Sequence, residues 1–161
     1  MKILIWPDPK LKVISAKVEQ TPNPSFIKEL FDTVKQAGGV GLSSIQVGIP
    51  ARLFVLWAGS GEEVYINPTF VELRGERIQM IEGCLSTPGQ FDKVSRWTEA
   101  EIKYQDVDMV EKTAVLSGLR AHAAQHEMEH LEGKMWTDHL PKAVRGKIMG
   151  EMLKYKRKGT K

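Results

Sequence analysis

Residues 119–131 read LRAHAAQHEMEHL, and they set conditions that the rest of the chain has to meet. Within them His126, Glu127 and His130 form an H-E-x-x-H spacing. On a helix, positions i and i+4 share a face, so both imidazoles can give a nitrogen to one metal ion. Glu127 then stands beside whatever the metal binds, as a carboxylate able to carry a proton. A zinc-like catalytic site also needs a third protein ligand and an open position for water. His122 shares the helical spacing, but at about 1.5 Å per residue it lies roughly 12 Å along the axis from His130, too far for one ion. It is expected to be a packed or surface histidine. His139 lies beyond Gly133, where the helix should end, and has no patterned partner; a structural or solvent-facing role is expected. The better candidate is Cys84, the only cysteine, in Glu82-Gly83-Cys84-Leu85-Ser86.

A lone cysteine rules out an intramolecular disulfide and fits a reducing compartment. No apolar run approaches the roughly 18 residues of a membrane span, and the start of the chain lacks a secretory pattern. A cytoplasmic protein is therefore expected, and 161 residues suit one domain with a proper core. The net charge of +3 conceals an uneven distribution. Residues 142–161 carry eight Lys/Arg and one acid, while the remainder holds 15 basic and 19 acidic residues. Such a tail suits an anionic partner, or simply a solvated helix.

Along the chain, Pro7-Asp8-Pro9 must be extended or turned. Asn23 and Pro24 predict a helix start, with Phe26, Ile27, Leu30, Phe31 and Val34 as its apolar stripe and Gly38 as its end. Residues 39–46, GVGLSSIQ, form a glycine-spaced loop. A P-loop would need G-K-[ST] and a dinucleotide fingerprint would need a strand before and a helix after, so a phosphate cradle fails. What remains is close backbone approach to something, with Gln46 as a hydrogen-bond donor, or a plain tight turn. Segments 52–57, 63–66, 70–74, 77–81, 100–105 and 112–116 are short, rich in β-branched and aromatic residues, and separated by Gly, Asn-Pro or Asp. They predict antiparallel sheet, with Cys84 at a strand end. Ser117 is placed to cap the H-E-x-x-H helix. A last helix is predicted over 141–158, with Val144, Ile148 and Met152 repeating every four residues; Gly146 and Gly150 weaken it by roughly 1 kcal/mol each.

Taken together, three of these motifs resemble the peptide deformylase family. G-x-G-L-A-A-x-Q is similar to residues 39–46, E-G-C-L-S matches 82–86, and Q-H-E-x-D-H-L is similar to 125–131. The likeness also takes in the early Pro-Asp-Pro, Pro88, Arg96, Gly133, Asp138 and Leu140. It implies an α+β fold in which antiparallel or mixed β-sheets pack around the central H-E-x-x-H helix, with an N-terminal and a C-terminal helix. It implies one catalytic domain over 1–161 that removes the formyl group from the initiator methionine of new proteins and releases formate. The metal ligands would be Cys84, His126 and His130, with water as the fourth. Fe(II) would be the physiological metal, and Zn, Ni or Co could replace it. Glu127 would move the proton, and the Gln46 side-chain amide with the Leu85 backbone N–H would hold the oxyanion. Val40, Leu119 and Ala123 would line the methionine pocket, and the backbone around Gly41 and Gly83 would pair with the peptide. The basic C-terminal helix would engage the ribosome.

Two departures from the family pattern stand out, a pair and a single residue: Ser43-Ser44 replace Ala-Ala, and Glu129 replaces Asp. Neither is expected to touch a ligand or the catalytic carboxylate, although buried hydroxyls need partners. Two other functions fit the H-E-x-x-H motif by itself. One is an endopeptidase, whose third ligand would be a downstream His or Glu. The other is a catalytically silent, metal-bound binding module acting through its tail.

Overall fold

The structure is a computed structural model, which describes residues 1–59 and 61–158; the last three residues of the basic tail lie outside the described residues. Helix α1 (Pro24–Gln36) is followed by strands β1 (Gly41–Ser43), β2 (Leu53–Leu56), β3 (Glu63–Gly83), β4 (Phe91–Gln105) and β5 (Glu111–Ser117). Helices α2 (Gly118–Leu131) and α3 (Lys142–Lys158) complete the order, with short 3-10 turns at Pro9–Lys12, Ser44–Val47 and Trp136–His139. The strands form one sheet in the order β1-β2-β3-β4-β5, every neighbouring pair antiparallel. The only parallel pairing among the described residues is an isolated bridge, Ala16 to Ala51, so the expected α+β fold holds in its antiparallel form.

Local chemistry explains the helices. Asn23 Oδ1 accepts the Ser25 N–H at 2.9 Å, and Gly38, at φ 68°, ends α1 in the left-handed region that favours glycine. Ser117 does occupy the N-cap position of α2, but its side chain makes no capping bond; the cap expected from its residue type is absent. Strand β2 is buried along its whole length because helices lie on both of its faces. Leu53 and Val55 meet Ile27, Leu30, Phe31 and Val34 of α1, whereas Phe54 and Leu56 meet Ala121, Ala124, Met128 and Leu131 of α2. A third cluster, built on Trp6, Leu11, Val94 and Trp136, receives Ile148 and Met152 of α3.

The sheet differs from expectation in three places. Segments 63–66, 70–74 and 77–81 are not separate strands but parts of β3, which absorbs the breaks through register shifts at Ile66/Thr69, Phe70/Glu72 and Arg74/Arg77. Asn67 (φ 51°) and Gly75 (φ 81°) supply the required conformations, and the Pro68 carbonyl is taken up by the Arg52 guanidinium at 3.1–3.2 Å. Strand β4 begins at Phe91, well before residue 100; the buried position 96 is an arginine, which hides the apolar alternation of this stretch in the sequence. Part of the glycine-spaced loop is a strand: β1 pairs with β2 from Gly41↔Leu56 to Ser43↔Phe54.

Candidate active site

Three elements bring the polar residues together. Gln46 sits on the 3-10 turn after β1, Cys84 is the first residue after β3, and His126, Glu127 and His130 lie on α2. The donor atoms of Cys84, His126 and His130 all fall within 4.8 Å of one another, the one such group among the described residues. Cys84 Sγ lies 3.2 Å from His130 Nε2, which in turn lies 3.1 Å from His126 Nε2. His126 Nδ1 is engaged by Glu82 Oε1 at 2.6 Å, which leaves Nε2 to face the shared point. A soft thiolate with two imidazoles, one already oriented from behind, fits a divalent transition metal.

Behind the histidines runs a buried charge network. Arg96 grips Glu82 through two bonds of 2.7 Å and Glu129 through bonds of 2.9 and 3.0 Å. Burial alone would raise the Glu82 carboxyl, but Arg96, His122 and His126 outweigh it and hold the group well below the usual carboxylate range. Glu82 therefore stays charged and can fix the His126 tautomer. The role of Glu82 has one sequence signal, a carboxylate two residues before Cys84; that of Arg96 becomes visible only from the β3–β4 register. His122 is packed, as expected, with Nε2 2.5 Å from Glu82 Oε2. His139 is not without a partner: its Nε2 lies 2.7 Å from Glu129 Oε1, so the position that departs from the family's Asp joins two basic groups.

Glu127 is 3 % exposed, and burial pushes its carboxyl above the usual value, with His126 and Ser43 only partly offsetting this. The Ser43 hydroxyl lies 2.6 Å from Glu127 Oε2, which overturns the expectation that neither serine meets the catalytic carboxylate. Strand β1 turns that residue inward. Ser44 meets only a carbonyl, that of Ala51. The glycine-spaced loop does approach something closely: a Cβ on Gly41 would lie 2.7 Å from Glu127 Oε1. Gln46 Oε1 accepts the Ser43 N–H at 2.9 Å, and its Nε2 lies 3.2 Å from Ser86 Oγ and 3.4 Å from Cys84 Sγ. Ser86 is a neighbour that the sequence reading did not single out.

A cleft of about 480 Å³ opens beside these groups. It is lined by Val40, Gly41, Gln46, Gly83, Cys84, Leu85, Leu119, Ala123, His126 and Glu127, and by His122; His130, fully buried, is not part of the lining. Leu119 is half exposed at the cleft, while Ala123 is buried. Strand β1 is an edge of the sheet, paired by β2 on one side.

The profile of the polypeptide deformylase family matches residues 1–146. A peptide deformylase of Zymomonas mobilis is 38% identical over 165 residues, covering 96% of this chain and 93% of that protein. One from Brucella suis is 35% identical over 159 residues, covering 94% and 91%. The crystal structure of a peptide deformylase from Legionella pneumophila superimposes with a TM-score of 0.92 at 33% identity, covering 99% of this chain and 97% of that one. The likeness that three short motifs suggested thus runs the length of the chain, in sequence and in backbone alike, and the chain belongs to the polypeptide deformylase family.

Proposed function

We propose that, in the metal-dependent removal of the N-formyl group from nascent polypeptides that marks this family, Cys84, His126 and His130 hold the metal and Glu127 moves the proton. The observation that carries this reading is the convergence of one thiol and two imidazoles within 4.8 Å, with Glu127 on the adjoining helical position. When bound, a divalent cation supplies Lewis acidity and makes water acidic enough to ionise near neutral pH. Fe(II) is the physiological metal in this reading, with Zn, Ni or Co able to occupy the same donors.

Glu127 takes a proton from the attacking water and delivers it to the departing amine. Its buried, raised carboxyl suits a group that must both accept and release a proton. The Gln46 amide and the Leu85 backbone N–H donate to the oxygen on which charge develops, each worth roughly 3–4 kcal/mol. Gln46 is aimed for this: with Oε1 held by the Ser43 N–H, Nε2 is turned towards Cys84. Val40, Leu119 and Ala123 receive the methionine side chain, and the peptide adds as a strand along the backbone at Gly41 and Gly83.

Residues 1–161 act as one catalytic domain in the cytoplasm, and the basic face of α3 meets ribosomal RNA. No helix among the described residues is long and apolar enough to cross a membrane. The endopeptidase and silent-module readings are not favoured by the family. The test is formate release from a formyl-Met peptide, measured anaerobically after loading with Fe(II) or Ni(II), beside Glu127→Gln. Release by the wild type and not by the variant supports the assignment. Cleavage of internal peptide bonds, or bound metal with neither activity, would overturn it.

A further inference from the structure

Strand β1 carries Gly41 and Ser43 two residues apart, and alternate residues of a strand point to one face. Both meet Glu127, one on each carboxylate oxygen. Gly41 clears the space beside Oε1, where a Cβ would intrude at 2.7 Å, and the Ser43 hydroxyl reaches Oε2 at 2.6 Å. Ser43 is completely buried, 84 residues away from Glu127 in sequence, and its contact is as short as those of hydroxyls with ionised carboxylates. The same hydroxyl oxygen lies 3.1 Å from Gln46 Oε1, which also accepts the Ser43 backbone N–H at 2.9 Å.

We propose that Ser43 is a positioning residue that ties Glu127 to Gln46 and so holds the proton carrier and the oxyanion donor in one fixed arrangement. A hydroxyl has one hydrogen to donate, and here two acceptor oxygens stand within reach. The shorter contact, to Glu127 Oε2, takes that hydrogen, while the Ser43 backbone N–H holds Gln46 Oε1, so one residue grips both groups. A Gln46 oxygen held by a donor leaves its own N–H groups more strongly polarised towards the oxyanion. The family pattern has alanine at this position, so the tie adds to a reaction that proceeds without it. Ser44, equally buried, makes the matched control, because its hydroxyl ends on the Ala51 carbonyl and meets neither group.

The inference rests on the deformylase reading, and the experiment separates the two. Wild type, Ser43→Ala and Ser44→Ala are loaded with Ni(II) and assayed for formate release from a formyl-Met peptide. Ser43→Ala should lower kcat about 10-fold, as loss of a hydrogen bond to a charged group does. KM should stay within about twofold and metal content near wild type, a split that a general structural defect would not produce. Ser44→Ala should keep kcat. In a Gln46→Ala background, Ser43→Ala should cost clearly less than it does alone, because one end of the tie is already gone. An active wild type whose kcat survives Ser43→Ala overturns the positioning role, and strictly additive losses with Gln46→Ala overturn the tie. An inactive wild type overturns instead the functional reading beneath both.

Discussion

Helices α2 and α3 are of similar length and meet their surroundings in opposite ways. Ten of the 14 residues of α2 are buried, among them His122, Gln125, His126, Glu127 and His130. Of the 17 residues of α3, Ile148 and Met152 alone are buried. Polar groups withdrawn from water must be partnered, and α2 shows how: Gln125 clasps the backbone of Trp97 at 2.8 and 3.1 Å, His126 takes Glu82, and Glu127 takes Ser43. In α3 the charges point outward, held by two apolar anchors and by surface pairs such as Arg145–Asp138 at 2.7 Å. The contrast teaches that polarity inside an element marks chemistry when it is buried and bonded, whereas polarity outside marks contact with something else. Changes to α2 and its partners should therefore be costly, and changes to the end of α3 mild.

The largest effect belongs to the donor set. Cys84→Ala should bring bound metal well below one per chain by elemental analysis and remove activity with it, while His139→Ala should leave metal near one. Full occupancy in the Cys84 variant would take the thiol out of the donor set. Next comes Glu127→Ala, which should keep its metal yet lose on the order of 10²–10⁴ in turnover. A metal-free Glu127 variant would mean that the glutamate is a ligand.

Arg96→Leu tests the scaffolding of α2 through stability. It leaves Glu82 buried beside one charge fewer and should cost about 3–5 kcal/mol in denaturant unfolding. The sign with pH follows from Glu82, whose folded carboxyl is held below its ordinary value. Its contribution is present above the unfolded pKa and fades as pH falls through the folded one. The gap between wild type and Arg96→Leu should accordingly narrow in acid; a gap that widens would show that Glu82 is not held charged. The smallest effect on chemistry belongs to α3. Removing residues 154–161 should leave hydrolysis of a short formyl-Met peptide nearly unchanged and weaken salt-sensitive sedimentation with ribosomes. Equal sedimentation of both forms at low salt would strip the tail of that role and blunt the contrast between the helices.

The parts of the molecule legible in the sequence share a property: their signal is local. Asn23-Pro24 and the Ile27, Leu30, Val34 spacing announce α1, and four residues between His126 and His130 announce one helical face. Cys84 stands out by being alone. What was not legible depends on residues distant in sequence. Asn67-Pro68 and Gly75 look like strand ends, yet a partner strand as long as β4 carries pairing past them through bulges. Arg96 interrupts an apolar alternation, and only the register that places it opposite Ile78 brings it beneath Glu82 and Glu129. The hydroxyl of Ser43 looks like a neutral exchange for a methyl until β1 is laid against α2.

Cys84 has a further consequence as the sole thiol of the chain. A sulfenic acid formed there finds no second cysteine with which to condense, so no internal disulfide can shelter the sulfur from further oxidation. An external thiol can intercept it before it passes to the sulfinic and sulfonic acids, which thiols do not reverse. Protein inactivated in air should thus fall into two populations by mass. One returns to the native mass with a reductant; the other keeps two or three oxygens on the peptide that contains Cys84 and grows with exposure time.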